Sequence, residues 1–379
     1  MRNKALKLIV LVALITAAYS LEMKYDWFPV VADSAQGSSV TVKQLEKDLA
    51  QQFQGRSERF TVQYSGDNQE LSNSMKDAIK SSLSYDDYTA YIIESYLYTI
   101  RSWGDRSTIK LEARYRESKE QTEEVDRFVE RALALIIKPE MNDHEKVKVI
   151  HDWIVTKLEY DQSLSKYTAY EGLLTGEAVC QGYSLLGYKM LKEAGITVRI
   201  AEGTVNTGDH AWNMVKLGDY WYHLDLTWDD PVSQEQSKQS RPISYRYYLK
   251  TDKQLRVDHN WVKSYPTADR TYADELMQLE NSAGSEEALR YSSLKKDIGL
   301  HWLEPDNTIN NATELAALLR KEVKRNTSTM QFRYTNGQQL SADLKAAFEA
   351  VNVPLGYSAN YEPYTNDGSM LVRIEVSYR

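Results

Sequence analysis

One cysteine, Cys180, stands among 379 residues, so no disulfide can staple this chain and its fold must rest on buried apolar surface. The composition supplies that surface: 42% of residues are hydrophobic and 26% charged, the balance of an ordinary globular protein. The length predicts two or three domains. A lone cysteine is either a small buried hydrophobe or a reactive thiol, and its neighbours decide between the two.

Residues 176–195 read GEAVCQGYSLLGYKMLKEAG. From Cys180 onward Tyr183, Leu186, Met190 and Ala194 fall at helical spacing, and Gly195 sits where a left-handed cap ends a helix. Cys180 therefore opens a helix. The macrodipole and free N–H groups of a helix start stabilise a thiolate and can hold an oxyanion. A structural cysteine has no reason to choose this place. Its small neighbours, Ala178 and Gly182, are expected to leave room for a substrate.

A nucleophilic thiol needs a base, and the base needs an orienting group. Downstream, the alternating run HAWNMVKL (210–217) is joined through Gly218-Asp219 to a second run, YWYHLDLTW (220–228). Gly followed by Asp between two such runs predicts a two-residue hairpin turn. That turn fixes the register: Leu217 faces Tyr220, Trp212 faces Asp225 and His210 faces Thr227. His210, Trp212, Met214, Trp221, His223, Asp225 and Thr227 then share one face. The opposite face, with Val215, Leu217, Tyr222, Leu224 and Leu226, is apolar and belongs in the core. His210 and Asp225 become diagonal neighbours about 7 Å apart at the backbone, within reach of a carboxylate–imidazole hydrogen bond. The residues thus predict Cys180 as nucleophile, His210 as base and Asp225 as the group that fixes its tautomer.

GEAVCQGYS, DHAWNMV and WYHLDLTWDDP resemble the Cys, His and Asp boxes of the transglutaminase-like superfamily, with closest likeness to bacterial exported members and to the cytokinesis and kyphoscoliosis-type domains. The likeness covers roughly residues 146–268. It implies a papain-like core with the same three residues in the same roles, no cofactor, and a protein or peptide substrate. The papain-like glutamine six positions before the nucleophile is replaced by Leu174, and Tyr170 is the candidate oxyanion donor in its stead. The resemblance leaves the reaction open between cross-linking, peptidase and amidase outcomes, and leaves a non-catalytic envelope-binding or assembly protein as the competing class. His210, His223 and Asp225 share a face that a metal could use, but no two histidines stand at helical ligand spacing and no second cysteine exists, so no metal is assigned. His151 reads as a satisfied histidine of an amphipathic helix, and His259 as a residue near the cleft mouth without a partner.

Around this centre the chain is organised symmetrically. Residues 1–20 carry Arg2, Lys4 and Lys7 before an apolar run at 8–18, the pattern of an export signal or anchor. A tether follows at 21–42. Residues 43–117 then read as helix, strand, helix, strand, and residues 310–379 repeat that order, FTVQY and IKLEARY matching MQFRY and VRIEVSY. Between them lie a transglutaminase-like domain at 118–275 and a linker at 276–309, with polar surface loops at 233–240 and 281–287. The expected fold is therefore α+β: a Cys-bearing helix packed on an antiparallel sheet, flanked by two small α/β units that look like a diverged repeat. Neither flanking unit holds a candidate nucleophile, so both are expected to bind, space or anchor. The net charge of −8 without a basic run argues against nucleic acid. The leader points instead to a secreted or envelope-associated bacterial protein with a cell-wall or envelope partner.

Overall fold

A computed structural model describes residues 41–230, 243–351, 355–364 and 367–378. The leader, nearly all of the tether and the 233–240 loop lie outside the described residues.

The N-terminal unit begins with α1 (Val42–Gln54), whose first turn is closed by the Thr41 side chain accepting from the Gln44 N–H. β1 (Arg59–Ser65), α2 (Asn68–Leu83), α3 (Asp87–Ile92), β2 (Ile93–Trp103) and β3 (Arg106–Tyr115) complete it. The strands lie antiparallel in the order β1-β3-β2. Leu45, Leu49 and Phe53 of α1 and Leu71, Met75 and Ile79 of α2 pack against Val62, Tyr64, Ile109 and Leu111 of the sheet. α3 and β2 are additions to the sequence reading. β2 is an edge strand with no residue fully buried, so its alternation of apolar and polar residues is weak.

The central body starts with α4 (Lys119–Ile136) and α5 (Asp143–Lys157), each opened by a reciprocal capping box, Ser118 with Gln121 and Asn142 with Glu145. A two-residue strand β4 (Glu159–Tyr160), helix α6 (Ala169–Thr175) and a second short strand β5 (Glu177–Ala178) lead into α7 (Cys180–Glu193). α7 packs beneath a three-stranded antiparallel sheet of β6 (Thr197–Val205), β7 (Gly208–Leu217) and β8 (Tyr220–Leu224). The hairpin turn is as read: Leu217 pairs with Tyr220, and Gly218 takes a φ of 57°. The ladder stops at Asn213 and Leu224, so the expected pairs of Trp212 with Asp225 and His210 with Thr227 do not form. The chain turns away at Asp225 instead.

Both faces of this sheet are covered. Val215, Leu217, Tyr222 and Leu224 join Leu185, Leu186 and Met190 of α7 in the main core. Trp212 and Met214 form a smaller cluster with Leu255 of α8 (Asp252–Leu255) and Ala268. Residues 276–309, expected to be a linker, are not one. α9 (Tyr272–Ser282) and α10 (Ser285–Asp297) form a helical hairpin whose Tyr272, Leu276, Tyr291, Leu294 and Ile298 enter the central core. Only five apolar side chains punctuate SEEALRYSSLKKDIG, so its one-sided helix reads as a polar stretch.

The C-terminal unit contains β9 (Thr308–Ile309), α11 (Ala312–Lys324), β10 (Thr329–Tyr334), α12 (Leu340–Val351), β11 (Leu355–Pro363) and β12 (Met370–Tyr378). Its third long strand again lies in the middle, β10-β12-β11, with β9 added in parallel beside β10. The buried positions correspond: Leu315 and Leu319 to Leu45 and Leu49, Phe332 and Tyr334 to Val62 and Tyr64, and Val372, Ile374 and Val376 to Ile109, Leu111 and Ala113. The two flanking units share one topology and one core pattern.

Candidate active site

Cys180 is the first residue of α7, and the preceding Val179 has no side chain that can cap the helix. The N–H groups at the thiol end are therefore left for another acceptor. The approach is fixed by a parallel bridge between Tyr160 and Ala178. Gly182 is small for packing: a Cβ there would stand 2.7 Å from the Ala178 Cβ and 3.1 Å from the Thr168 carbonyl oxygen. Ala178 and Gly182 thus let the helix start seat against α6, and the space they were expected to leave for substrate is filled. Cys180 itself is partly exposed.

His210 lies on β7 and is buried, with its Nε2 at 2.7 Å from Asp225 Oδ2. The Cys180 thiol lies beside the same imidazole and raises its proton affinity. With Nε2 committed to the carboxylate, the nitrogen left for sulfur is Nδ1. The other carboxylate oxygen, Oδ1 of Asp225, accepts the backbone N–H groups of Thr227 at 3.0 Å and Trp228 at 3.2 Å. The turn that ends the ladder early is what aims these two donors at the carboxylate. The three residues singled out in the sequence meet in one cluster.

Burial alone would lower the proton affinity of His210, but the charge of Asp225, its hydrogen bond and the contact with Cys180 override it, and the pKa rises to about 10. Burial would raise that of Asp225, yet the His210 charge and the hydrogen bonds from His210 and His259 hold it well below the ordinary carboxylate range.

His259 is fully buried and is a member of the site that the sequence reading misplaced at the cleft mouth. Its Nε2 stands 3.0 Å from the same Asp225 Oδ2, and its Nδ1 2.7 Å from Asp258 Oδ1. A reciprocal backbone bridge between Thr204 and Asn260 delivers it there. Gly203 permits that bridge, since a Cβ at this position would fall 2.1 Å from the Asn260 carbonyl oxygen. Trp212 stacks on His210 at 5.9 Å, and Trp228 meets His259 edge-on at 4.5 Å, walling the pair in aromatic surface.

The remaining candidates fall elsewhere. Tyr170 is half-buried on α6, its backbone N–H bonded to Glu117 and its ring against the central core. The tyrosine whose hydroxyl shares the field of the Cys180 thiol is Tyr160, its pKa raised by burial first and by that thiol second. His223 is not part of the cluster. Its Nδ1 accepts from Trp212 Nε1 at 2.9 Å and its Nε2 donates to Asp252 at 2.8 Å, which fixes a neutral ring that burial keeps so. The group with metal-ligand spacing among the described residues is His210, Asp225 and His259, with ligand atoms within 4.8 Å of one another, and those atoms already bond to each other. His151 is a buried histidine held between Asp152 at 2.9 Å and Asp229 at 3.2 Å.

The N-terminal unit touches this site. The side chain of Gln181, next to the nucleophile, donates to the Tyr91 carbonyl oxygen at 2.6 Å. Asp87 of α3 receives the Arg199 guanidinium at 2.7 and 3.1 Å and the Ile200 N–H at 2.9 Å.

Residues 131–226, which contain all three clustered residues, match the family model of the transglutaminase-like superfamily. The chain carries a transglutaminase-like domain. It is 27% identical over 165 residues to the kyphoscoliosis peptidase of Mus musculus and 27% over 164 residues to that of Homo sapiens. Each alignment covers 37% of this chain and 24% of the relative, so the chain spans about a quarter of the length of the curated relatives it matches. A solved crystal structure of a TGase aligns with 12% identity and a TM-score of 0.27, covering 50% of this chain and 56% of that one.

Proposed function

We propose that this protein is an exported, cysteine-dependent acyl-transfer enzyme acting on amide bonds of proteins or peptides. The observation that carries the reading is the Cys180 thiol at an uncapped helix start, beside an imidazole that Asp225 orients at 2.7 Å. Cys180 sulfur attacks the carbonyl carbon after its proton passes to His210 Nδ1. The C=O π electrons move onto oxygen, which the N–H groups at the start of α7 receive. Collapse of this intermediate breaks the C–N bond, and His210 delivers the proton to the departing amine. A thioester remains on Cys180. Attack by an amine gives a cross-link and attack by water gives hydrolysis, with His210 taking the incoming proton in either case.

Cys180→Ala tests this reading. The side chain is partly exposed and adds little core volume, so the variant should fold while turnover of amide substrates falls by roughly 10³-fold or more. A folded variant with undiminished turnover would remove Cys180 from the mechanism.

A further inference from the structure

The outer face of the N-terminal sheet is uncovered, because α1 and α2 pack on the other side. The registers align rows across it: Arg59, Glu112 and Leu97; Thr61, Lys110 and Thr99; Gln63, Thr108 and Arg101; Ser65, Arg106 and Trp103. Arg114 extends the middle strand, opposite Ser95. Five cations therefore share this face with one carboxylate, Glu112, on a chain of net charge −8. Arg106, Lys110 and Arg114 form no ion pair with any described residue. The same face also presents Leu97, 74% exposed, and Trp103 at the hairpin end, 90% exposed.

We propose that this face docks on a bilayer surface containing anionic phospholipid, with Trp103 and Leu97 at the headgroup–acyl boundary and the β3 cations on lipid phosphates. Charge segregation selects an anionic partner. The apolar side chains select lipid: an exposed leucine gains burial at the acyl boundary and nothing from a soluble polyanion. Chain order agrees, since the apolar run at 8–18 precedes Val42 by 24 residues. At the maximal extension of 3.6 Å per residue, that keeps the unit within about 85 Å of any bilayer the run enters. The inference goes beyond the acyl-transfer reading and stands or falls without it.

The full chain is sedimented with phosphatidylcholine vesicles with and without phosphatidylglycerol, at low and high salt. Wild type should bind the anionic vesicles at least tenfold more tightly, with the difference lost at high salt. Arg106→Glu, Lys110→Glu and Arg114→Glu together should weaken binding to the anionic vesicles on the order of 100-fold and leave the neutral ones unchanged. The apolar run is common to both proteins, so it cancels in the ratio. Trp103→Ser, a substitution at an exposed tip that folding does not need, should weaken binding to both vesicles. Equal binding by wild type and both variants would overturn the proposal. So would tighter binding to soluble polyglycerol phosphate than to vesicles, which would assign the face to a polymer.

Discussion

The two flanking units share a topology and a core but differ in everything that faces outward. On the C-terminal sheet, the outer positions hold Arg333 and Arg373 against Glu362 and Glu375, and both arginines are paired, to Asp367 at 2.8 Å and Glu375 at 3.1 Å. On the N-terminal sheet, three cations stand in a row without such partners. The units also differ in how they meet the centre. The N-terminal unit sends Asp87 and Tyr91 to the sheet and helix that carry the site. The C-terminal unit meets the segment after the helical hairpin, where Tyr364 donates to the Gly299 carbonyl at 2.7 Å. A buried pattern fixes which fold is made, and the exposed positions and seams are free to give two copies different work.

The largest effect should come from cutting the N-terminal seam. Asp87→Ala removes the acceptor of the Arg199 guanidinium and the Ile200 N–H, and leaving such donors unpaired should cost about 2–4 kcal/mol. Denaturant titration measures that cost, and turnover should fall with it because β6 neighbours the strand bearing His210. A cost below 1 kcal/mol at 25 °C would show that the two seams are equivalent.

The hairpin that supports the C-terminal unit carries its own weak point. His144 bonds the Tyr272 hydroxyl at 3.0 Å, stacks on that ring and meets Tyr291 edge-on, joining α5 to both α9 and α10. Burial lowers its pKa from 6.5 to about 4. Between those values the unfolded chain binds a proton that the folded one refuses, so stability is lost as pH falls through that window, by up to about 3 kcal/mol. Thermal melts from pH 7 to pH 4 should show this slope in wild type and a flatter one in His144→Gln. Equal slopes would remove His144 from the acid response. The smallest effect belongs to Tyr364→Phe, which loses one hydrogen bond and should cost about 1 kcal/mol or less.

What was legible in the sequence was local. The Gly218 turn set the hairpin register, and the spacing after Cys180 gave the helix start, because each signal lies within one or two elements. His259 was not legible as a partner of Asp225. It lies 34 residues away and is brought back by the Thr204–Asn260 bridge, a non-local pairing with no sequence period of its own. Tyr160 escaped for a related reason: its placement depends on a two-residue parallel bridge to Ala178. β2 and β11 were missed as edge strands, whose exposed residues blur the alternation that β3 and β12 keep.

The most direct test of the central claim labels Cys180, the sole thiol in the chain, with iodoacetamide at pH 6.5 in wild type and in His210→Ala. If the imidazole holds the thiol proton, wild type should be alkylated at least ten times faster than the variant, at equal folding by circular dichroism. Equal rates in the two proteins would contradict the account, because His210 would then sit beside Cys180 without activating it.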